Sequence, residues 1–224
     1  MNSGAANYII RTFIQKLLSL FFFLLGSWWV MTWQNWVFFG TVFVVTAISL
    51  TIVYLVNPDL LAERKKLVTD SPKWDKVLLL VFWLLNFFLI YLIAGLELGK
   101  TIPNSFFFWL GMALIIFSTI VSLAALVVNP YLESTARVQT DRGQKVISNG
   151  VYGVVRHPAY FAILLSNLAV ALVFQTFFLY LAAVIIAIIV VVRTYLEDKM
   201  LKENLEGYLQ YSQKIKYRLL PYIW

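Results

Sequence analysis

The polar residues with the clearest chemical potential lie between residues 139 and 160, in a segment that interrupts an otherwise apolar chain. Three glycines there permit tight turns and close approach of the backbone to a ligand. Arg156 and His157 then precede Pro158, which opens an apolar run and suits the first turn of a helix. Because a helix N-terminus attracts anions, an arginine and a histidine beside it predict a site for a carboxylate.

Aromatic and acidic residues extend this site. Tyr152 and Tyr160 offer ring faces that suit a flat heterocycle or a sulfonium cation. Further along, Arg193 and Glu197 are spaced i,i+4 and share one face of a predicted helix, with Asp198 next to them. A carboxylate here suits ribose hydroxyls or an ammonium group, and a guanidinium can hold a carboxylate through two parallel hydrogen bonds.

Each feature also has a simpler interpretation. Arg156 and His157 suit a boundary anchor before a membrane span, and tyrosines at span ends are typical of the aromatic belt. Arg193 and Glu197 have the spacing of an ordinary salt bridge within a helix. Their joint occurrence on one side of a single helical hairpin is what favours a binding site.

The elements that position these residues are membrane helices. Of 224 residues, 61% are hydrophobic and 13% are charged, which leaves too little polar surface for a soluble domain. The apolar residues fall in runs near the roughly 20 residues that cross a bilayer. We therefore predict an all-α integral membrane protein with about six transmembrane helices. The predicted spans are 12–33, 37–56, 77–98, 106–128, 158–174 and 177–192.

The last two predicted spans are short, and only Gln175 and Thr176 join them, which predicts a tight helical hairpin. Such helices are tilted or partly buried in protein. The chain divides into an N-terminal four-helix transmembrane region, 1–132, and a C-terminal region, 133–224, in which hairpin and polar tail are expected to form a pocket.

Basic residues predict how the helices are oriented. With six spans, every one of the 18 lysines and arginines except Lys100 falls on one face of the membrane. The positive-inside rule makes that face cytoplasmic, with both termini inside. Arg11 and Lys16 ahead of an apolar run are also typical of a signal peptide. No small-x-small cleavage site follows, so we interpret the run as a retained first span.

Charge and residue types exclude several partners. The net charge of +7 arises at span ends, where topology and anionic lipid headgroups explain it, so no nucleic acid partner is expected. The chain has no cysteine and a single histidine, His157, which excludes thiolate chemistry and any site that needs two imidazoles. No metal is predicted.

Together, these motifs resemble a known family. Gly-Val-Tyr-x3-Arg-His-Pro-x-Tyr, then Arg-x3-Glu-Asp after the hairpin, then Gly-Tyr-x2-Tyr-x6-Arg-Leu-Leu-Pro are similar to the isoprenylcysteine carboxyl methyltransferases. That family is allied to the phospholipid N-methyltransferases. The resemblance covers residues 133–224. Asn-Pro-Asp-Leu-Leu-Ala-Glu-Arg at 57–64 and Trp74-Asp75-Lys76 resemble a bacterial branch, which implies a bacterial inner membrane.

The resemblance implies S-adenosylmethionine as methyl donor, with S-adenosylhomocysteine as product, in a cytoplasmic-side pocket formed by the hairpin and tail. It implies Arg193 and Glu197 as catalytic residues, with Arg193 contacting the acceptor. The implied cofactor-binding residues are Gln139, Gln144, Lys145, Val146, Ile147, Tyr152, Arg156, His157, Pro158, Ala159, Tyr160, Glu197 and Asp198. Gln144 replaces a histidine common in relatives, and the tail motif is one residue shorter than usual, which leaves the acceptor undetermined.

The implied reaction is in-line methyl transfer to a lipophilic or lipidated acceptor. A carboxylate acceptor is favoured, since it is ionised at neutral pH and needs no general base. A phospholipid N-methyltransferase of the phosphatidylethanolamine type is the first alternative, and Glu197, Asp198 or a tyrosine would then serve as base.

Two further alternatives are an NADPH-dependent membrane reductase with a similar Arg-His-Pro element, and a non-catalytic or transport protein. No dinucleotide-binding signal accompanies the first. Transporters place ionisable residues in mid-span, whereas the predicted spans hold neutral polar groups such as Asn86 and Asn167.

Overall fold

The computed structural model describes residues 3–65, 71–100 and 104–224. Helices make up 76% of the protein and no strand occurs in these ranges, which confirms the all-α prediction. Lys66, which belongs to the predicted basic face, and residues 101–103 of the predicted outer loop lie outside the described residues.

Long helices dominate the described ranges. The α-helices are α1 (Ser3–Gly26), α2 (Trp33–Val56), α3 (Pro58–Lys65), α4 (Lys73–Leu84), α5 (Ile90–Leu96), α6 (Ser105–Val128), α7 (Pro158–Phe174), α8 (Phe177–Asn204) and α9 (Tyr208–Lys214). A π-helical turn, Leu85–Leu89, joins α4 to α5, and 3-10 turns lie at Thr140–Arg142 and Gly150–Gly153.

Five helical segments of the described chain are long and apolar enough to cross a membrane, namely α1, α2, α4 to α5, α6 and α8. They indicate a multi-pass membrane protein, while its orientation stays a prediction. The sixth predicted span, α7, has only 17 residues. At 1.5 Å per residue it is about 25 Å long, shorter than a hydrocarbon core of about 30 Å. The short length of α7 was predicted correctly.

The first helix begins earlier than the sequence predicts. It starts at Ser3 and ends at Gly26, instead of covering 12–33. Trp28 and Trp29 follow in left-handed conformations, with φ of 53° and 66°, which the helix cannot continue through. Lys16, which the predicted span 12–33 already includes, lies near the middle of this apolar helix. The expectation that the spans hold only neutral polar groups is therefore wrong.

The last long helix corrects a second expectation. Instead of ending at residue 192, α8 continues to Asn204 and is 28 residues long. The predicted short second arm of the hairpin is therefore wrong, although the link through Gln175 and Thr176 is as predicted. Arg193 and Glu197 consequently lie on a rigid continuation of a membrane helix.

Close helix contacts at glycine fix the membrane bundle. A Cβ atom on Gly26 of α1 would collide with the backbone oxygen of Leu92, and one on Gly95 with that of Phe23. In the same way, a Cβ atom on Gly111 of α6 would approach the backbone oxygen of α7 to 2.8 Å. Small residues thus let these backbones pack directly, as is common between membrane helices.

Candidate active site

A cavity of about 450 Å³ lies among the membrane helices, the loop between α6 and α7, and the C-terminal tail. It collects almost all residues that the sequence singles out. Lining it are Arg193 and, of the implied cofactor residues, Gln139, Gln144, Lys145, Val146, Ile147, Tyr152, Arg156, His157, Pro158, Ala159, Tyr160 and Glu197. Asp198 is the exception and lies behind the wall.

Asp198 forms the centre of a buried charge network. Its carboxylate accepts hydrogen bonds from Nε and Nη2 of Arg156 at 2.7 and 3.1 Å. Lys202 Nζ and Arg218 Nε each lie 3.0 Å from its Oδ2 atom. Tyr208 donates its hydroxyl to Oδ1 at 3.1 Å. With so many partners, this carboxylate positions Arg156 and the tail.

The same network attaches the tail to the start of α7. The backbone N–H groups of Arg156 and His157 donate to the carbonyls of Tyr217 and Arg218 at 3.0 and 2.9 Å. Tyr208 also lies 3.3 Å from Nε2 of His157. Burial raises the pKa of Tyr208, and the charge of the adjacent carboxylate raises it further, so the phenol remains a hydrogen-bond donor at neutral pH.

Gln139 and Gln144 hold the loop in shape. The backbone N–H of Gln139 donates to Oε1 of Gln144 at 2.7 Å, and its side-chain amide donates to the carbonyl of Tyr131 at 2.6 Å. Arg142 in turn donates to Oε1 of Gln139 at 2.7 Å. Most polar atoms of these glutamines are thus engaged within the loop, although both residues line the cavity.

Tyr152 is fixed on both sides. Its hydroxyl accepts a hydrogen bond from Asn129 at 3.0 Å, and its carbonyl accepts one from the Tyr211 hydroxyl at 2.7 Å. Since Asn129 ends α6 and Tyr211 belongs to α9, these bonds connect the loop to both neighbours. The ring is thereby held rigidly in the cavity wall.

Glu197 presents an acidic group to the cavity. Its Oε2 accepts a short hydrogen bond, 2.5 Å, from the hydroxyl of Tyr160. The rings of Tyr160 and His157 are 5.8 Å apart, so an aromatic wall adjoins the carboxylate. No basic residue in the described ranges forms an ion pair with Glu197, which leaves its charge available to a cationic or hydroxyl-bearing ligand.

Arg193 is bound to Asp75 of α4, for which sequence analysis predicted no role in the site. Its Nε donates to Oδ1 of Asp75 at 2.8 Å, and its Nη2 donates to the carbonyl of Ser134. The other oxygen of Asp75 accepts the backbone N–H of Ala136 at 2.9 Å. Both charged groups are almost fully buried, so this pair ties the loop and α8 to the N-terminal helices.

The salt bridge between Arg193 and Glu197, the simpler interpretation of their spacing, does not form. Instead the guanidinium carbon of Arg193 lies 5.5 Å from the centre of the Tyr160 ring. Tyr160 thus contacts both residues in different ways. Its hydroxyl donates a hydrogen bond to Glu197, and the face of its ring lies near the Arg193 guanidinium.

Sequence reasoning missed the part of the cavity that lies between the N-terminal helices. The lining residues there include Tyr8, Thr12, Gln15, Lys16, Arg64, Leu79, Phe82, Trp83, Asn86 and Phe87. A charged residue in an apolar run was the available signal for Lys16. For Asp75 the signal was weaker, an acid between Lys73 and Lys76 in the first turn of α4.

Comparison with known proteins agrees with this geometry. The model of the phospholipid methyltransferase family matches residues 106–206. The matched stretch contains α6, the loop, α7 and α8, and therefore most of the cavity wall that carries the motifs. No curated protein matches the chain. The match supports a membrane methyltransferase that acts on a lipid-related substrate.

Proposed function

We propose that this protein is an S-adenosylmethionine-dependent methyltransferase that modifies a lipophilic acceptor within the membrane. The observation that carries the proposal is the convergence of the motif residues on one cavity, together with a family match over the same part of the chain. Residues far apart in sequence, such as Gln139 and Glu197, meet there.

The residues in the cavity fit the proposed donor. A volume of about 450 Å³ lies within the range of pockets for small molecules. Glu197 lacks a basic partner and suits an ammonium group or ribose hydroxyls. Lys145 and His157 suit a carboxylate, and the rings of Tyr152 and Tyr160 suit the adenine or the sulfonium. Each of the donor's distinct chemical groups thus has a counterpart.

The donor supplies a methyl carbon whose bond to sulfur breaks as its bond to the acceptor forms, with the electron pair left on a neutral thioether. The chain's own residues would position the donor and the acceptor and exclude water from the cavity. Arg156, fixed by Asp198 and the tail, would hold the loop against the start of α7. Tyr160 would keep Glu197 in one orientation through its hydroxyl. Arg193 would border the acceptor.

For the acceptor we favour a carboxylate, which needs no proton removed before attack. A phospholipid amine is the second candidate, and the description of the matched family, phospholipid methyltransferase, supports it without distinguishing the two acceptors. In that case a neutral amine would attack and the nitrogen would then lose its proton, for which Glu197 is a carboxylate of the cavity wall without a basic partner among the described residues.

The first experiment measures calorimetric binding of S-adenosylhomocysteine to the detergent-purified protein. We expect Glu197→Gln to weaken binding about ten- to a hundredfold, because a charged hydrogen-bond acceptor contributes roughly 1.5–3 kcal/mol. Glu203→Gln is the matched control, since Glu203 lies on the same helix but its side chain is 59% exposed. Folded wild-type protein that does not bind the nucleoside would overturn the proposal.

Transfer of a deuterated methyl group then separates the two acceptors. A prenylated cysteine carboxylate and phosphatidylethanolamine are offered to the purified protein, and the lipids are analysed by mass spectrometry. Ester formation identifies an O-methyltransferase, and a methylated headgroup identifies an N-methyltransferase. A product on a water-soluble acceptor alone would contradict the membrane part of the proposal.

A further inference from the structure

Four polar side chains line the cavity between the membrane helices without a hydrogen bond or ion pair to any described residue. They are Gln15 and Lys16 of α1, Asn86 of the π turn and Ser122 of α6. Polar groups without partners are costly in a bilayer, where no bulk water replaces a missing partner. Three separate helices contribute them, so this part of the cavity is suited to a polar group of a ligand.

Lys16 is the charged member of this set. It lies near the middle of the 24-residue helix α1, and its ammonium is 5.8 Å from the centre of the Phe87 ring. One turn later, Ser19 donates to the carbonyl of Phe87 at 2.9 Å, which fixes α1 against the π turn. Ionisable residues inside a span and π turns both occur preferentially at functional sites.

The other cations around the cavity are already engaged or lie elsewhere. Arg193 is paired with Asp75, and Arg64 donates to the Tyr8 hydroxyl and to a loop carbonyl at 3.0 and 2.6 Å. Lys145 is exposed and belongs to the loop. Lys16 is therefore the cation on the cavity-lining helices whose side chain has neither a hydrogen bond nor an ion pair among the described residues.

We infer that Lys16, with Asn86 near it in the cavity wall, binds the anionic headgroup of the lipophilic acceptor. A headgroup oxyanion would pair with the half-buried ammonium at the cavity wall and accept a hydrogen bond from the Asn86 amide. The inference rests on the proposed methyl transfer and specifies its acceptor. A carboxylate held there would itself be the nucleophile, whereas a phosphate would anchor a lipid whose amine is methylated.

The test uses amphiphiles with one tail and different headgroups. Binding of radiolabelled dodecyl phosphate, dodecanoate and the neutral dodecanol is measured by gel filtration in a neutral maltoside detergent. We expect the wild type to prefer at least one anion over dodecanol by about tenfold, as is typical for one charge-assisted hydrogen bond. Lys16→Met should remove the preference and Lys16→Arg should retain it. Preference for the phosphate indicates a phospholipid, and preference for dodecanoate a carboxylate acceptor.

Two comparisons separate this inference from the proposed function. Lys199→Met is the matched control, since the Lys199 side chain is 62% exposed, and it should bind all three probes like the wild type. S-adenosylhomocysteine affinity should be unchanged in Lys16→Met, which also reports on folding. An unchanged anion preference in Lys16→Met, or loss of nucleoside binding in that variant, would overturn the headgroup assignment. Failure of the wild type to bind the nucleoside, with the Lys16-dependent preference intact, would overturn only the methyl transfer.

Discussion

The polar residues of the family-matched region, 106–206, differ from those of the helices that precede it. In the matched region, the charged and amide side chains of the cavity wall are largely bonded to one another or to the tail. Arg156 with Asp198 and Gln139 with Arg142 are examples. In the earlier helices, Lys16 and its polar neighbours face the same cavity without such partners.

We infer from this difference that the two regions have different tasks. A site whose side chains are fixed by mutual hydrogen bonds is pre-organised, which suits a cofactor common to many related enzymes. Polar groups without partners suit a ligand that is particular to one protein. We therefore expect the matched region to hold the methyl donor and the earlier helices to select the acceptor. Arg193 and Asp75 connect the two.

The largest expected effect comes from breaking the network of the matched region with Asp198→Asn. Arg156, only 5% exposed, would lose a carboxylate that it binds through two nitrogens. Removing one partner of a buried ion pair typically lowers the free energy of unfolding by about 3–5 kcal/mol. Denaturation in mixed micelles, followed by tryptophan fluorescence, measures this loss.

The matched control for that variant is Glu203→Gln, an acid on the exposed side of the same helix. If Asp198→Asn unfolded like the control while losing nucleoside affinity, Asp198 would be a ligand-binding residue instead of a structural one. The resemblance implied such a binding role, so this experiment decides between the two.

The next effect concerns the connection between the regions. Asp75→Asn removes the charge that faces Arg193 and should lower the free energy of unfolding by roughly 1.5–3 kcal/mol, the usual contribution of a hydrogen bond to a charged group. Because Asp75 belongs to the unmatched helices, methyl transfer should fall more than nucleoside affinity does. Equal losses in both quantities would contradict the division of tasks.

Much of this architecture could be predicted because the length of an apolar run and the residues that begin and end a helix are local properties of the sequence. The run 158–174 coincides with α7, since Pro158 begins the helix and Gln175, with φ of 54°, ends it. The residues of the Arg-His-Pro segment and Glu197, which the sequence predicts to share a site, line one cavity, and their role in binding stays a prediction. A sequence motif can indicate which residues lie close together when all of its residues belong to one loop and one helical hairpin.

The remainder depends on contacts between distant segments, which no local pattern encodes. Asp75 reaches Arg193 across 118 positions of the chain. Lys16 was counted as a terminal charge because the start of an apolar helix is poorly marked when small and polar residues precede it. The predicted division at residue 132 stays a prediction, and the family match begins before it, at residue 106.

A smaller effect concerns Tyr160 of the matched region, whose hydroxyl bonds Glu197 and whose ring lies near Arg193. Tyr160→Phe removes the hydroxyl that donates a hydrogen bond to Glu197 but keeps the ring near Arg193. We expect nucleoside affinity to weaken about five- to tenfold, equivalent to roughly 1 kcal/mol for one hydrogen bond. Tyr160→Leu also removes the ring and should reduce methyl transfer further. Equal effects of the two variants would show that the ring contact with Arg193 contributes nothing.

The smallest effect is expected at the outer edge of the matched region, where Asp141 is paired with Arg137 at 2.6 Å. A hydrogen bond from the guanidinium lowers the pKa of the Asp141 carboxyl. A carboxyl with a lowered pKa stabilises the fold above its ordinary pKa of about 4, and this contribution disappears as the pH falls through the lowered value.

Asp141→Asn should change the melting temperature little at neutral pH, because Arg137 retains Glu133 at 3.1 Å and Asp141 faces solvent. Any difference from the wild type should shrink as the pH falls below about 4 and vanish once the pH lies below the lowered pKa of Asp141. A large loss of nucleoside affinity in this variant would extend the cofactor site to the exposed end of the loop.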